Sequence, residues 1–134
     1  MRLHRNLCFA VIDGVLQVFN DGEYADKVIQ GLLKRDKRWG SRDRGFVAET
    51  TYDIVRWKRL YAEIAEVKAP CSRGDAWRLC AVWATLKGVK RPDWKYFDGT
   101  PTRKIKVRVD EASKTRKIKK SILAWHDERG VDER

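Results

Sequence analysis

The sequence is poor in the residues from which most catalytic and metal sites are built. Its only histidines, His4 and His126, stand near opposite ends of 134 residues. There is no H-E-x-x-H pair, no G-x-S-x-G turn and no glycine-rich phosphate loop of either common type. Cys8, Cys71 and Cys80 make an odd count without a C-x-x-C pair. That fits neither a disulfide framework nor a four-ligand zinc site, and suits a reducing, cytoplasmic setting. Carboxylates are plentiful, but on helices they more often face solvent than form acid and base pairs. Long apolar runs are missing too. The start Met1-Arg2-Leu3-His4-Arg5, followed by Leu7 to Ile12, imitates a signal peptide until Asp13 interrupts it. Apolar residues then continue at helical spacing through Val15, Leu16, Val18 and Phe19, which predicts a buried amphipathic helix. Nothing approaches the roughly 18 apolar residues of a membrane span.

What the chain does have is positive charge and aromatic bulk. Thirty Lys and Arg face nineteen Asp and Glu, a net +11, while 43% hydrophobic residues and six tryptophans suffice for a core. The length suits one domain over 1–134. The excess charge favours an anionic partner. It is uneven, with +4 in residues 1–86 and +7 in 87–134. Within 103–120, Arg103, Lys104, Lys106, Arg108, Lys114, Arg116, Lys117, Lys119 and Lys120 meet only Asp110 and Glu111. Such a segment suits phosphates through counterion release; a solvated helix face or linker accounts for it equally well.

Periodicity predicts helices nearly throughout. The first covers about 2–19 and stops at Asn20-Asp21-Gly22; the second covers about 24–34. A third, capped by Ser41 with Asp43 in its first turn, carries Phe46, Thr50, Ile54, Trp57, Tyr61 and Ile64 as one inward stripe. Val47, Thr51 and Val55 widen it, as expected of a central helix packed on more than one side. Asp75 is the expected cap of a fourth helix, burying Trp77, Cys80, Ala81 and Ala84 and ending at Gly88. From 103 to 111 the alternation of Ile105, Val107 and Val109 with Lys106 and Arg108 is strand-like, yet no other segment offers a partner, so helix is favoured. A last helix is expected over about 115–129.

Two further basic groups stand out. Arg2 and Arg5 lie about one turn apart at the start of the first helix, and Arg56, Lys58 and Arg59 flank the Trp57 stripe. Local pairing of Asp53 with Arg56 and of Glu63 with Arg59 accounts for the second group about as simply, at a few tenths of a kcal/mol each. Asp43, between Arg42 and Arg44, is suited either to fixing an arginine of a neighbouring helix or to a ligand site. Trp57 and Trp77 fall on core stripes. Trp39, in a loop among basic residues, is the candidate stacking platform.

The order of these motifs resembles a known family. Arg2-Leu3-His4-Arg5 leading into Ala10-Val11, then Tyr24-Ala25-Asp26-Lys27-Val28-Ile29, Trp39-Gly40-Ser41-Arg42-Asp43-Arg44 with Phe46, and Tyr52-Asp53-Ile54-Val55-Arg56-Trp57 resemble the N-terminal domain of bacterial ribosomal RNA cytosine-C5 methyltransferases of the RsmB (Sun, or Fmu) type. That domain is similar to NusB, an all-helical RNA-binding fold. The resemblance spans nearly the whole chain, and its most specific part is Arg42-Asp43-Arg44 followed by Arg56. It implies an all-α, NusB-like bundle of about six helices. It also implies RNA contacts at Arg2, His4 and Arg5, and a partly structural signature in Arg42, Asp43, Arg44, Arg56 and Trp57.

Arg42, Arg44, Arg56, Arg59 and the cluster Arg116, Lys117, Lys119 and Lys120 are also expected to contact RNA, on or beside the same basic face. Lys120-Ser121-Ile122 and Trp125 resemble the segment leading to the methyltransferase, although Leu123 replaces the usual proline and His126 an apolar residue. Residues 113–134 are therefore the expected junction to a C-terminal catalytic domain. The S-adenosylmethionine site and the catalytic cysteines would belong to that domain, beyond Arg134, and Pro70-Cys71 is not its Pro-Cys motif. The implied partners are small-subunit ribosomal RNA and the chain's own methyltransferase domain, with no membrane or DNA partner and no cofactor on this chain. The alternative is a stand-alone RNA- or protein-interaction module, as in transcription antitermination.

Overall fold

A chain whose apolar residues recur every three to four positions must bury each stripe against another helix. The computed structural model, which describes residues 2–68 and 70–112, is all-helical among those residues. It comprises α1 (Arg5–Asp21), α2 (Ala25–Leu33), α3 (Ser41–Arg56), α4 (Lys58–Ala65), α5 (Arg73–Lys87) and α6 (Thr102–Ala112), with a 3-10 turn at Lys95–Phe97 before α6. The expected all-α fold of about six helices is therefore present, although differently composed: the third predicted helix is two, and the one expected over about 115–129 lies outside the described residues.

α1, α2 and α3 pack on one another, as do α4, α5 and α6, and the two trios meet where α5 lies against α1 and α3. α3 packs on α1 and α2 and also meets α4 and α5, on more than one side as its stripe predicts, but the most enclosed helix is α5. Its consecutive residues Leu79 to Ala84 are all buried, with Ala76 and Trp77 a turn earlier; only a helix covered on nearly every side has no polar face there. Trp77 gathers an aromatic cluster, stacking on Tyr96 at 4.6 Å and meeting Phe9, Trp94 and Phe97 edge-on. A smaller core of Leu7, Ala10, Val28, Leu32 and Val47 joins α1, α2 and α3.

Local chemistry sets the boundaries. Gly22 (φ 68°) and Gly88 (φ 73°) end α1 and α5 in the left-handed region, where glycine has no Cβ penalty. The α5 cap is Ser72, not Asp75: the Ser72 hydroxyl accepts from the Asp75 N–H at 3.0 Å while the Asp75 carboxylate accepts from the Ser72 N–H at 3.1 Å. Likewise Gly40, not Ser41, precedes α3, and its first turn has no side-chain cap. α1 begins at Arg5, so Arg2 lies in an extended lead-in rather than on the helix.

The bend between α3 and α4 falls at Trp57 (φ −103°, ψ 25°). It is local, since the Trp57 N–H still donates to the Asp53 carbonyl and the Tyr61 N–H to that of Trp57. The predicted stripe therefore runs through the bend, with Thr50, Ile54, Tyr61 and Ile64 buried and Phe46 and Trp57 packed on the core. In α6, Ile105 is buried and Val109 packs against the core while Val107 is 48% exposed. A strand would put all three on one face, whereas a helix puts Ile105 and Val109, four apart, on one face and turns Val107 away.

Candidate nucleic-acid interface

Leu3 is buried and anchors the extended lead-in to α1. Side chains alternate along extended backbone, so Arg2 and His4 both project away from the core, and both are exposed. His4 precedes α1 in β conformation (φ −114°, ψ 132°). The first turns of α3 lie alongside. Here the loop from α2 is fixed at Asp36, whose carboxylate accepts from the Arg38 backbone and guanidinium at 2.8–3.0 Å. Those bonds, the guanidinium's first, pull the Asp36 carboxyl down to about 2.

Together these segments form a cleft of about 580 Å³. Arg2 and His4 line it from one side, Ser41, Arg42 and Asp43 from the other, with Leu7 and Phe46 as apolar lining and Glu49 at one edge. Two basic segments some forty residues apart in sequence thus share one concavity. The first-turn amides of α3, without a side-chain cap, add the partial positive charge of a helix N-terminus. Fixed donors, two guanidiniums and an imidazole around an open cleft can hold phosphate oxygens. Asp43 and Glu49 limit how much negative charge enters.

The other expected contacts lie elsewhere. The Arg5 guanidinium stands 5.5 Å from the centre of the Trp94 ring, next to the aromatic cluster. Arg44 donates to the Leu33 carbonyl at 2.8 Å and so closes the end of α2. Arg56 lies over the Trp57 ring at 5.5 Å and lines a different cleft, beside Tyr52 and Asp53. Arg59 lines a small recess near the end of α1. Asp43 is partly buried in the Arg2 cleft wall, and Trp57 packs on the main core. The ring of Trp39 packs on the smaller core rather than standing free for stacking. Arg108 pairs with Glu66 at 3.1 Å and donates to the Glu63 carbonyl, joining α6 to the end of α4. Arg116, Lys117, Lys119 and Lys120 fall outside the described residues.

Sequence reading missed Ser41, Leu7 and Glu49 as cleft residues. Glu49 was legible: it stands seven positions after Arg42, two turns along the same face of α3. The sequence predicts Ser41 as a cap, but it lines the cleft instead.

Other chemistry finds little footing among the described residues. No cluster of three potential metal ligands occurs, and no helix is long and apolar enough to cross a membrane. All three cysteines are buried free thiols. Burial, helped by nearby Asp75, pushes the Cys71 thiol up to about 11, and the hydrogen bond with Cys8 together with burial raises Cys80, so neither favours a thiolate. Compared with protein-family models, curated proteins and solved structures, the chain matches none.

Proposed function

We propose that this chain is a NusB-like RNA-binding domain that holds structured ribosomal RNA for an S-adenosylmethionine-dependent cytosine-C5 methyltransferase domain supplied elsewhere. In this reading it binds and orients RNA and carries out no methyl transfer itself. One observation carries the proposal: Arg2 and His4 before α1 and Arg42 at the start of α3, three of the basic positions on which the resemblance rests, line a common cleft beside an uncapped helix start. The net charge of +11 supports it by favouring encounter with a polyanion. Arg44 and Trp57 act in the fold, closing α2 and filling the core, consistent with a signature that is partly structural.

The test is binding of a structured ribosomal RNA fragment, measured by fluorescence anisotropy across a salt series. Phosphate contacts predict a steep loss of affinity from low to moderate salt, with a smaller slope for Arg2→Gln/Arg42→Gln. A shallow slope with the same affinity for both proteins would instead favour a protein-docking module.

A further inference from the structure

A second basic recess lies at the far end of α1. Phe19 and Asn20 from the end of α1, Lys58 and Arg59 from the first turn of α4, and Lys68 from the loop after it surround about 210 Å³, with Ala62, Val67 and Cys71 completing the walls. Of the five clefts compared among the described residues, this one has no carboxylate in its lining. The others contain Asp93 and Asp98, or Asp26, Glu49 and Asp53, or Asp43 and Glu49, or Glu23.

We propose that this recess binds a phosphate group. Among the described residues none of Lys58, Arg59 and Lys68 forms an ion pair. Three cations brought together without a counter-charge repel one another, and an anion among them relieves that repulsion. The Lys58 ammonium lies 5.6 Å from the centre of the Phe19 ring, on the recess wall. The Cys71 thiol, kept neutral by burial, adds no opposing charge. Asn20 is engaged with the Cys71 backbone, which fixes the recess wall between α1 and the α4–α5 loop.

The phosphate has two possible carriers, a free anion or the backbone of an RNA. The seventeen residues of α1 extend about 25 Å, so an RNA backbone that engages both the Arg2 cleft and this recess must span about that distance. The backbone case rests on the RNA-binding reading above; the free-anion case does not.

Inorganic phosphate titrated into the isotope-labelled full chain, in phosphate-free buffer at constant ionic strength, tests the recess by amide chemical shifts. Saturable shifts at Phe19, Lys58 and Lys68 are expected, abolished in Lys58→Gln/Lys68→Gln and retained in Lys58→Arg/Lys68→Arg, which keeps the charge and reports on folding. Shifts that never saturate, or that persist unchanged in the glutamine variant, would overturn the proposal. A parallel salt series with the structured ribosomal RNA fragment identifies the carrier: if it is RNA, the glutamine variant loses about one unit of salt slope for each charge removed. Saturable phosphate binding without any RNA binding would leave the recess standing as a free-anion site and overturn the RNA reading. RNA binding with an unchanged slope and no phosphate saturation would do the reverse.

Discussion

Asn20 and Cys71, 51 residues apart in the chain, exchange two hydrogen bonds: the Asn20 amide donates to the Cys71 carbonyl at 2.7 Å and accepts from the Cys71 N–H at 3.0 Å. This reciprocal pair ties the end of α1 to the loop that starts α5, in place of a backbone ladder. Cys71 is 6% exposed, so removing the amide strands two buried backbone groups. Asn20→Ala should therefore destabilise the chain by about 1–3 kcal/mol in urea unfolding. Asn20→Asp should not restore it, since a carboxylate accepts from the N–H but presents a second acceptor to the carbonyl. Wild-type stability in either variant would show the pair to be dispensable.

Asp13 on α1 accepts from Arg73 at 2.6 Å and Arg35 at 2.7 Å, joining α1 to the start of α5 and to the end of the α2 region. Partial burial works against its charge, but the hydrogen bonds of Arg73 and then Arg35 prevail and hold the carboxyl below its ordinary 3.8. A lowered pKa means stability that is present at neutral pH, above the unfolded-state value, and lost as pH falls through the lower folded-state value. Asp13→Asn should cost about 1 kcal/mol at pH 7, a modest figure because both guanidiniums are partly exposed and screened. The difference from wild type should shrink in acid below pH 4, and a constant difference from pH 7 to pH 2 would argue against the pairing.

The helices were legible because each carries a three-to-four-residue stripe, and the ends of α1 and α5 because Gly22 and Gly88 follow them. The bend at Trp57 was not legible, since the stripe from Phe46 to Ile64 passes through it without losing phase. Nor was the dominance of α5: Ala76, Cys80, Ala81 and Ala84 are small enough to sit inside a bundle, but size alone does not show that Leu79, Val82 and Trp83 are covered as well. In the candidate site, the two basic segments could be read but their meeting could not, because it depends on Leu3 being anchored in the core. Arg44 shows the opposite limit. As a letter it equals Arg42, and only the position of the end of α2 gives it a carbonyl to close.

Gly14 is buried in α1, where an added Cβ would stand 2.6 Å from Leu32 Cδ1 and 3.1 Å from Thr51 Cγ2. Replacing a mid-helix glycine by alanine normally gains about 1 kcal/mol. Overpacking a filled core costs about 1–3 kcal/mol, and here both neighbours must move, so Gly14→Ala should be neutral to destabilising and Gly14→Val clearly worse. Gly31 on α2 meets nothing within 4 Å, so Gly31→Ala should raise the denaturation midpoint. A stabilising Gly14→Ala would mean that the contact between α1 and the α2–α3 pair is looser than this geometry.

Arg42 and Arg44 separate binding from folding, since they are two residues apart with opposite engagements. Arg42 is exposed and lines the cleft with Arg2 and His4, whereas the Arg44 guanidinium closes the last turn of α2 through the Leu33 carbonyl. Arg42→Gln should leave urea unfolding within about 0.5 kcal/mol of wild type, as for surface changes generally. On the proposed function it should weaken RNA binding and reduce the salt slope by about one. Arg44→Gln should instead destabilise by about 1 kcal/mol through the lost charged hydrogen bond. At temperatures where it is fully folded, it should bind RNA with nearly the wild-type salt slope, because its charge is already directed at a protein carbonyl. Measuring both quantities on both variants matters, since a loss of affinity alone could follow from partial unfolding. If Arg44→Gln lost the salt slope and Arg42→Gln did not, the face that meets RNA would have to be redrawn around the end of α2.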